Sequence, residues 1–364
     1  MRPMRFIMLG GFLGAGKTTT IARLACHYRD RGERVAVITN DHASDLVDSH
    51  TLRSLGLDVG EIAGACFCGN LDDLITAVEQ VGVAARPDVV LVEPVGSCTD
   101  LVATVIRPMQ RLFASRFEVA PYGVLLKPSH GLKILSGQPG GGFSPKAEYI
   151  FRTQLEEADF VTINRIDQLS PAQITELERL LAEQYSTTPV LRLSAKTGAG
   201  FDDFAAFLEQ RGAFGQRLLS VDYDEYLAGE AELGWFNGSY LVHGVAPFDL
   251  DRLVLGTVTR LQEIFAAADV EPGHLKAFGI WEGACSIANV IASSVPAELS
   301  RAATTQVPKT HLIINARVAA SPASLANMVQ QALSDIASTL QLTFTDQHTQ
   351  CFRPGQPIQP YSAL

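Results

Sequence analysis

Gly11-Phe12-Leu13-Gly14-Ala15-Gly16-Lys17-Thr18 follows directly on the apolar run Phe6-Ile7-Met8-Leu9 and spells a complete G-x-x-x-x-G-K-[ST] phosphate loop. Each residue type has a task at that spacing. The glycines let backbone N–H groups turn inward around a phosphate, Lys17 sets a point charge on the terminal phosphates, and the Thr18 hydroxyl reaches a Mg²⁺ ion. The segment after it, Thr19 to Arg31, has helical character, so a helix N-terminus adds its partial positive charge at the same place. Strand, loop and helix in that order predict a nucleotide-binding α/β domain.

Outward from this loop, apolar runs alternate with helix-length amphipathic segments as far as residue 210. Strands are expected at Arg5 to Leu9, Arg34 to Thr39, Asp88 to Glu93, Tyr122 to Leu126, Phe160 to Asn164 and Pro189 to Leu193. Helices are expected at 17–31, 71–84, 99–113, 145–157, 171–185 and 201–210. Continuous apolar runs such as Val89-Val90-Leu91-Val92 are what a parallel strand covered on both faces requires. The fold class is therefore α/β, a doubly wound and mostly parallel sheet. The Gly-rich stretch Ser136 to Gly142 reads as a linker loop. Domain boundaries are placed at 1–215 for the phosphate-loop domain, 216–238 for an acidic connector and 239–364 for a smaller α+β domain. In the last, the order strand (240–245), helix (250–267), two strands (274–280 and 284–292), strand (311–318), helix (322–340), strand (341–345) predicts a small sheet with helices on one face. The Pro-rich tail after Phe352 reads as an extended strap.

Composition narrows the function. The chain has 364 residues, 47% of them hydrophobic, with 29 Lys plus Arg against 39 Asp plus Glu and a net charge of −10. That balance offers no basic surface for nucleic acid or anionic lipid. No apolar run reaches the length of a membrane span. The start, Met1 to Leu13, has the outline of a signal peptide, but its apolar part runs straight into Lys17 and the phosphate loop accounts for it better. Six cysteines in a chain of this size do not form a disulfide framework. A nucleotide-dependent protein is expected in the reducing cytoplasm, with free thiols.

Four further pieces follow the loop in the order a guanine-nucleotide site needs. The strand Asp88 to Glu93 ends in a carboxylate that can support Mg²⁺ or its waters, and Gly96 beyond it can meet a γ-phosphate. Asn164-Arg165-Ile166-Asp167 ends another apolar strand. The Asp167 carboxylate accepts two N–H bonds from guanine, whereas adenine would present it with an acceptor nitrogen. Ser194-Ala195-Lys196-Thr197-Gly198 follows the next strand and would close the base pocket with backbone N–H groups. Asn40-Asp41-His42 ends the second strand, where an effector loop would face the γ-phosphate and Mg²⁺; His42 reads as a polar loop residue.

With these residues in place the sequence resembles the CobW/HypB/UreG family of GTPases, most closely its CobW-type branch. Gly10 to Thr20 is similar to the family's G-F-L-G-A-G-K-T-T segment, Val37 to Asp41 to its V-N-E/D loop, and Glu93-Pro94-Val95-Gly96 to its E-[PST]-x-G. The resemblance implies GTP hydrolysis in the service of metal insertion or cofactor-enzyme maturation, with a client metalloenzyme or cofactor enzyme as partner and a nucleotide-dependent homodimer. It implies that Lys17, Thr18 and Thr19, with Gly11, Gly14, Ala15 and Gly16 around them, bind phosphates and Mg²⁺. Glu93 and Asp41 would support the metal and serve catalysis with Lys17, while Asn164 and Asp167 read guanine.

Two departures from the family pattern stand out. Arg165 occupies a position usually held by Lys, and a guanidinium stacks differently. The branch's C-x-C-C metal motif is here Gly64-Ala65-Cys66-Phe67-Cys68-Gly69, one thiol short, and a His-rich C-terminal tract is absent. Two thiolates would favour Zn²⁺ or another late transition metal, and Gly64 and Gly69 permit the bend that turns both toward one ion. A structural Zn²⁺ site prefers four ligands, so two thiolates alone are incomplete. Cys98, five residues after Glu93, is the candidate third ligand, brought in when Gly96 engages a γ-phosphate; packing at a helix start is the alternative. Cys26, Cys285 and Cys351 sit in apolar settings as packing residues. The leading expectation is a GTPase that delivers a transition metal or metal cofactor. The alternatives are a GTPase chaperone for a cofactor enzyme, for instance a corrinoid-dependent one, without free metal, and a small-molecule kinase.

Overall fold

The computed structural model describes residues 2–41, 47–63, 71–82, 86–137, 145–290 and 295–353, without the side chains of Asp41 and Ala63. The chain divides into two compact units, one of residues 1–44, 55–229 and 356–364, the other of residues 45–54 and 230–355.

The first unit begins with β1 (Met4–Gly10), α1 (Lys17–Asp30) and β2 (Val35–Asp41). The chain then contributes α2 (Val47–Arg53) to the second unit and returns as β3 (Asp58–Ala63). There follow α3 (Leu71–Val81), β4 (Val89–Glu93), a π-helical turn (Val102–Ile106) continued by α4 (Arg107–Leu112), β5 (Phe117–Val119), β6 (Gly123–Leu126) and α5 (Pro128–Leu135). The unit closes with α6 (Pro145–Glu157), β7 (Phe160–Ile163), α7 (Pro171–Gln184), β8 (Val190–Arg192), α8 (Phe201–Leu208) and α9 (Tyr223–Glu230). The sheet order is β3-β2-β4-β1-β6-β7-β8, with β5 also pairing the start of β1. Among the described residues all its pairings are parallel. Val89 to Val92 are at most 1% exposed, as the continuous apolar run requires of a strand covered on both faces. The doubly wound α/β class expected from the sequence is therefore the one found.

The expected helix over 99–113 is interrupted. The Arg107 N–H bonds the Val102 carbonyl five residues back, giving the wider π turn, and Pro108, which has no N–H to give, follows at the start of α4. Elsewhere the local signals hold. Ser170 and Gln173 form a reciprocal capping box at α7 with Pro171 in its first turn.

The second unit adds β9 (Gly234–Asp249), α10 (Leu250–Ala267), β10 (Pro272–Trp281), β11 (Ala284–Val290), β12 (Glu298–Arg301), β13 (Gln306–Val318), α11 (Pro322–Leu340) and β14 (Leu342–Phe352). Its sheet is antiparallel in the order β12-β11-β10-β13-β9-β14. Side-chain alternation separates two faces. Leu275 and Ala277 of β10, with Leu312, Ile314 and Ala316 of β13, pack under Leu253, Val254 and Val258 of α10 and Leu325, Val329 and Leu333 of α11. Phe278, Cys285, Ile287 and Ile313 form a second cluster with Val47 of α2. The helices expected on one face, α10 and α11, are there. Helix α2, which lies outside the helices expected from the sequence, is joined to the sheet by a Val47 N–H to Asn315 Oδ1 bond of 2.8 Å, an Asp48–Lys276 ion pair and His50 stacked on Phe278 at 5.4 Å.

Candidate nucleotide site

The phosphate loop takes its shape from three glycines with positive φ, Gly11 at 134°, Gly14 at 74° and Gly16 at 91°. Two of them also leave no room for a side chain. A Cβ on Gly11 would lie 2.5 Å from the Leu125 carbonyl oxygen, and one on Gly16 would lie 2.4 Å from Asn164 Nδ2. Lys17, at the head of α1, is 8% exposed and donates to the Gly11 carbonyl at 2.9 Å, so its ammonium curls back over the loop it serves. Ala15 and Thr18 are buried, while Thr19 is exposed on the first turn.

Thr18 Oγ1 donates to Glu93 Oε1 at 3.0 Å, both residues being buried. A hydroxyl and a carboxylate in contact at the end of a phosphate loop are a hard oxygen pair of the kind Mg²⁺ selects, so these residues fit the ion. Gly96 comes in from the same strand end, and a Cβ there would stand 3.1 Å from Lys17 Nζ. Asp41 ends β2, but its side chain and His42 lie outside the described residues.

The base-side residues converge as well. Asn164 is 1% exposed; its Nδ2 donates to the Ala15 carbonyl at 2.8 Å, and its Oδ1 accepts the N–H groups of Arg165 at 2.8 Å and Ala195 at 3.1 Å. One side chain thus ties the phosphate loop to the loop after β8. Arg165 holds a left-handed backbone at φ 61° and reaches the Gly14 carbonyl at 3.4 Å. Asp167 is exposed, with one oxygen accepting Ser194 Oγ at 2.5 Å, and Ser194 Oγ in turn accepts the Thr197 N–H at 3.1 Å. Lys196 is exposed, and its carbonyl accepts from Arg23.

Three contributors had no motif to announce them. Arg23 of α1 braces the loop after β8 by donating to the Ala195 carbonyl at 2.7 Å and the Lys196 carbonyl at 2.9 Å. Gln154 of α6, 1% exposed, donates through Nε2 to the Gly96 carbonyl at 3.1 Å and the Cys98 carbonyl at 2.7 Å. Glu157, one turn on, accepts the Val102 N–H at 3.0 Å, and burial pushes its carboxyl up to about 8. Beneath the loop, Lys127 donates to His130 Nε2 at 2.9 Å while His130 packs edge-on to Phe12. Burial, then the neighbouring Lys127 charge, holds this imidazole well below its usual range and keeps it neutral.

The cysteines need one correction. Cys26, Cys285 and Cys351 are free, as expected, but Cys98, 1% exposed, is disulfide-bonded rather than a free thiol. A disulfide needs a second sulfur about 2 Å away, so Cys98 has sulfur company at close quarters and not merely apolar packing. Cys66 and Cys68 lie outside the described residues, and among the described residues no group of three His, Cys, Asp or Glu side chains is placed to hold a metal ion.

A glycine-built phosphate loop between β1 and α1, backed by a carboxylate at the end of β4 and an Asn-x-x-Asp turn after β7, defines a P-loop nucleotide-binding protein. The model of the CobW/HypB/UreG nucleotide-binding domain matches residues 5–192, more than half of the chain, and the protein belongs to that family. It is 29% identical over 179 residues to the zinc chaperone YeiR of Escherichia coli (strain K12), covering 47% of this chain and 49% of YeiR. It is 29% identical over 216 residues to urease accessory protein UreG 2 of Streptomyces griseus, covering 56% of this chain and 85% of that protein. The chain thus spans about half the length of YeiR. Among solved structures, HypB from Helicobacter pylori in complex with nickel matches with a TM-score of 0.40 and 19% identity over 58% of this chain and 92% of HypB.

Proposed function

We propose that the protein is a GTP-binding and GTP-hydrolysing metallochaperone that couples nucleotide state to delivery of Zn²⁺, or another late transition metal or metal cofactor, to a client enzyme in the cytoplasm. One observation carries this reading. The six residues from Glu93 to Cys98 hold a carboxylate on Thr18, a glycine against Lys17, and a cysteine whose sulfur is already bonded to another sulfur. A γ-phosphate that engages Gly96 therefore acts on the same short segment that positions a sulfur ligand. The zinc-chaperone and urease-accessory names of two relatives supply the direction of the chemistry.

In this reading Lys17 and the loop N–H groups hold the terminal phosphates and stabilise charge as it develops there. Thr18 and Glu93, with Asp41 from β2, hold Mg²⁺, which neutralises the phosphate oxygens when bound. Asp167, steadied by Ser194, reads guanine, while Asn164 keeps phosphate loop and base loop in register. Cys66, Cys68 and Cys98 would form the transition-metal site, Cys98 only after a cytoplasmic thiol has reduced its disulfide by two electrons, and exchange with a client or a nucleotide-dependent homodimer would complete it.

Zn²⁺ titration of the reduced chain in GDP and in a non-hydrolysable GTP analogue tests the proposal, for wild type and the Cys66→Ser, Cys68→Ser and Cys98→Ser variants. GTP should tighten Zn²⁺ binding in wild type, and Cys98→Ser should remove that increment. If none of the three variants loses affinity, metal delivery through these thiols is excluded and a chaperone for a cofactor enzyme becomes the better reading.

A further inference from the structure

A cavity of about 940 Å³ opens at the amino-terminal edge of the first unit's sheet. Arg5 near the start of β1, Arg34 just before β2 and Asp88 just before β4 line it, whereas the phosphate loop follows the opposite end of β1. Tyr28 and Arg31, from the C-terminal end of α1, form another wall. The cavity is within the size range of small-molecule sites. Nothing in the nucleotide chemistry uses it.

The walls are braced and carry a charge excess. Six arginines line the cavity against four acids, in a chain whose net charge is −10. Arg5 is fixed by the Leu208 and Gln210 carbonyls at 2.6 and 2.7 Å and by Glu118 at 3.2 Å. Arg34 forks onto both oxygens of Asp88 at 3.0 Å. Arg31 pairs with Glu209 and Glu33, and Arg211 with Glu118 at 2.7 Å. These contacts account for all four acids. Arg2 and Arg86 make no ion pair among the described residues; Arg86 Nη1 donates to the Arg2 carbonyl at 2.9 Å, and its charge adds to that of Arg34 in holding the Asp88 carboxyl low.

Tyr28 is 3% exposed and closes one wall of the cavity, with its hydroxyl buried away from solvent. Burial, with Glu209 nearby, pushes this phenol up to about 12, so it adds no negative charge to the wall. The carbonyl of Tyr28 itself is closed by the N–H groups of Arg31 and Glu33 at 3.1 and 3.0 Å, which caps the negative end of α1.

We propose that this cavity is a second anion site, remote from the nucleotide, that takes the phosphomonoester group of a small organic molecule on the Arg2 and Arg86 guanidiniums. The excess of two positive charges matches a phosphomonoester, which carries about −1.5 to −2 at neutral pH. Guanidinium forks suit its oxygens better than a point charge would. A carboxylate offers fewer oxygens and half the charge, and serves as the control.

The test uses the whole chain saturated with GDP and Mg²⁺, so that the phosphate loop is filled, and titrates it calorimetrically with phenyl phosphate. One-to-one binding is expected, weakened about tenfold or more in Arg86→Gln and in Arg2→Gln, with GDP affinity unchanged in both. Neither variant removes an ion pair among the described residues, so both keep the fold. Succinate should bind at least about tenfold more weakly than phenyl phosphate. Absence of binding at millimolar phenyl phosphate, binding unchanged in both variants, or succinate binding as tightly would each overturn the assignment.

Discussion

Replacing Gln154 by Leu should loosen the segment from Gly96 to Cys98, and the structure sets the scale of the effect. The amide Nε2 donates to the Gly96 carbonyl at 3.1 Å and to the Cys98 carbonyl at 2.7 Å from a side chain that is 1% exposed. A typical bond contributes about 1 kcal/mol net, and a buried acceptor left bare costs roughly 1–3 kcal/mol. Leucine nearly preserves the apolar volume, so about 2–4 kcal/mol is the expected destabilisation. For a domain of this size that corresponds to a fall in Tm of very roughly 5–15 °C. Because the lost bonds hold Gly96 and not the base pocket, a GTP analogue should lose more affinity than GDP. Thermal denaturation with and without nucleotide, and fluorescence titration with labelled GDP and GTP analogue, check both parts. A Tm within a degree of wild type refutes the claim that Gln154 holds the Gly96 to Cys98 segment, and equal loss for the two nucleotides refutes its proposed contact with a γ-phosphate.

Further outcomes follow from the same geometry. Asp167→Asn should weaken GTP binding and improve that of xanthosine triphosphate, whose ring has a carbonyl where guanine has an amino group; unchanged GTP affinity in competition binding would remove Asp167 from the base pocket. Lys17→Ala should abolish phosphate release, whereas Glu93→Gln should lower Mg²⁺-dependent turnover with a smaller loss of nucleotide affinity, since Thr18 Oγ1 keeps an oxygen to bond. Glu157 takes up its proton in the folded state near pH 8 but at about 4.5 when unfolded. The native state therefore binds the extra proton between those values, and stability falls as pH rises through that window, by at most about 1.4 kcal/mol per pH unit. Urea denaturation at pH 6 and pH 8.5 should show a smaller pH difference in Glu157→Gln than in wild type, and an identical difference would show that Glu157 does not titrate as its burial dictates.

What was legible in the sequence is what local chemistry encodes. Gly11, Gly14 and Gly16 let the loop turn inward, Val89 to Val92 mark a strand covered on both faces, and residues 171–185 a helix, because each depends on neighbours within a few residues. The segments missed are short or supported from afar. β5 has three residues and is held by the start of β1, and α2 has seven and is held by Asn315 and Phe278, more than 200 residues away. The site divides along the same line. Asp167 could be read from its motif, but Gln154 and Arg23 donate to main-chain carbonyls, and a carbonyl belongs to every residue. No residue type marks its acceptor, so the pairing of Gln154 with Gly96 is visible only once α6 lies beside the end of β4. Asn164 shows the intermediate case. Its motif suggests base recognition, yet its amide is engaged with Ala15 on one side and Ala195 on the other. A residue that joins the phosphate loop to the base loop makes each sensitive to the other. Guanine selectivity and phosphate binding should thus fall together when Asn164 is changed, and separately when Asp167 is.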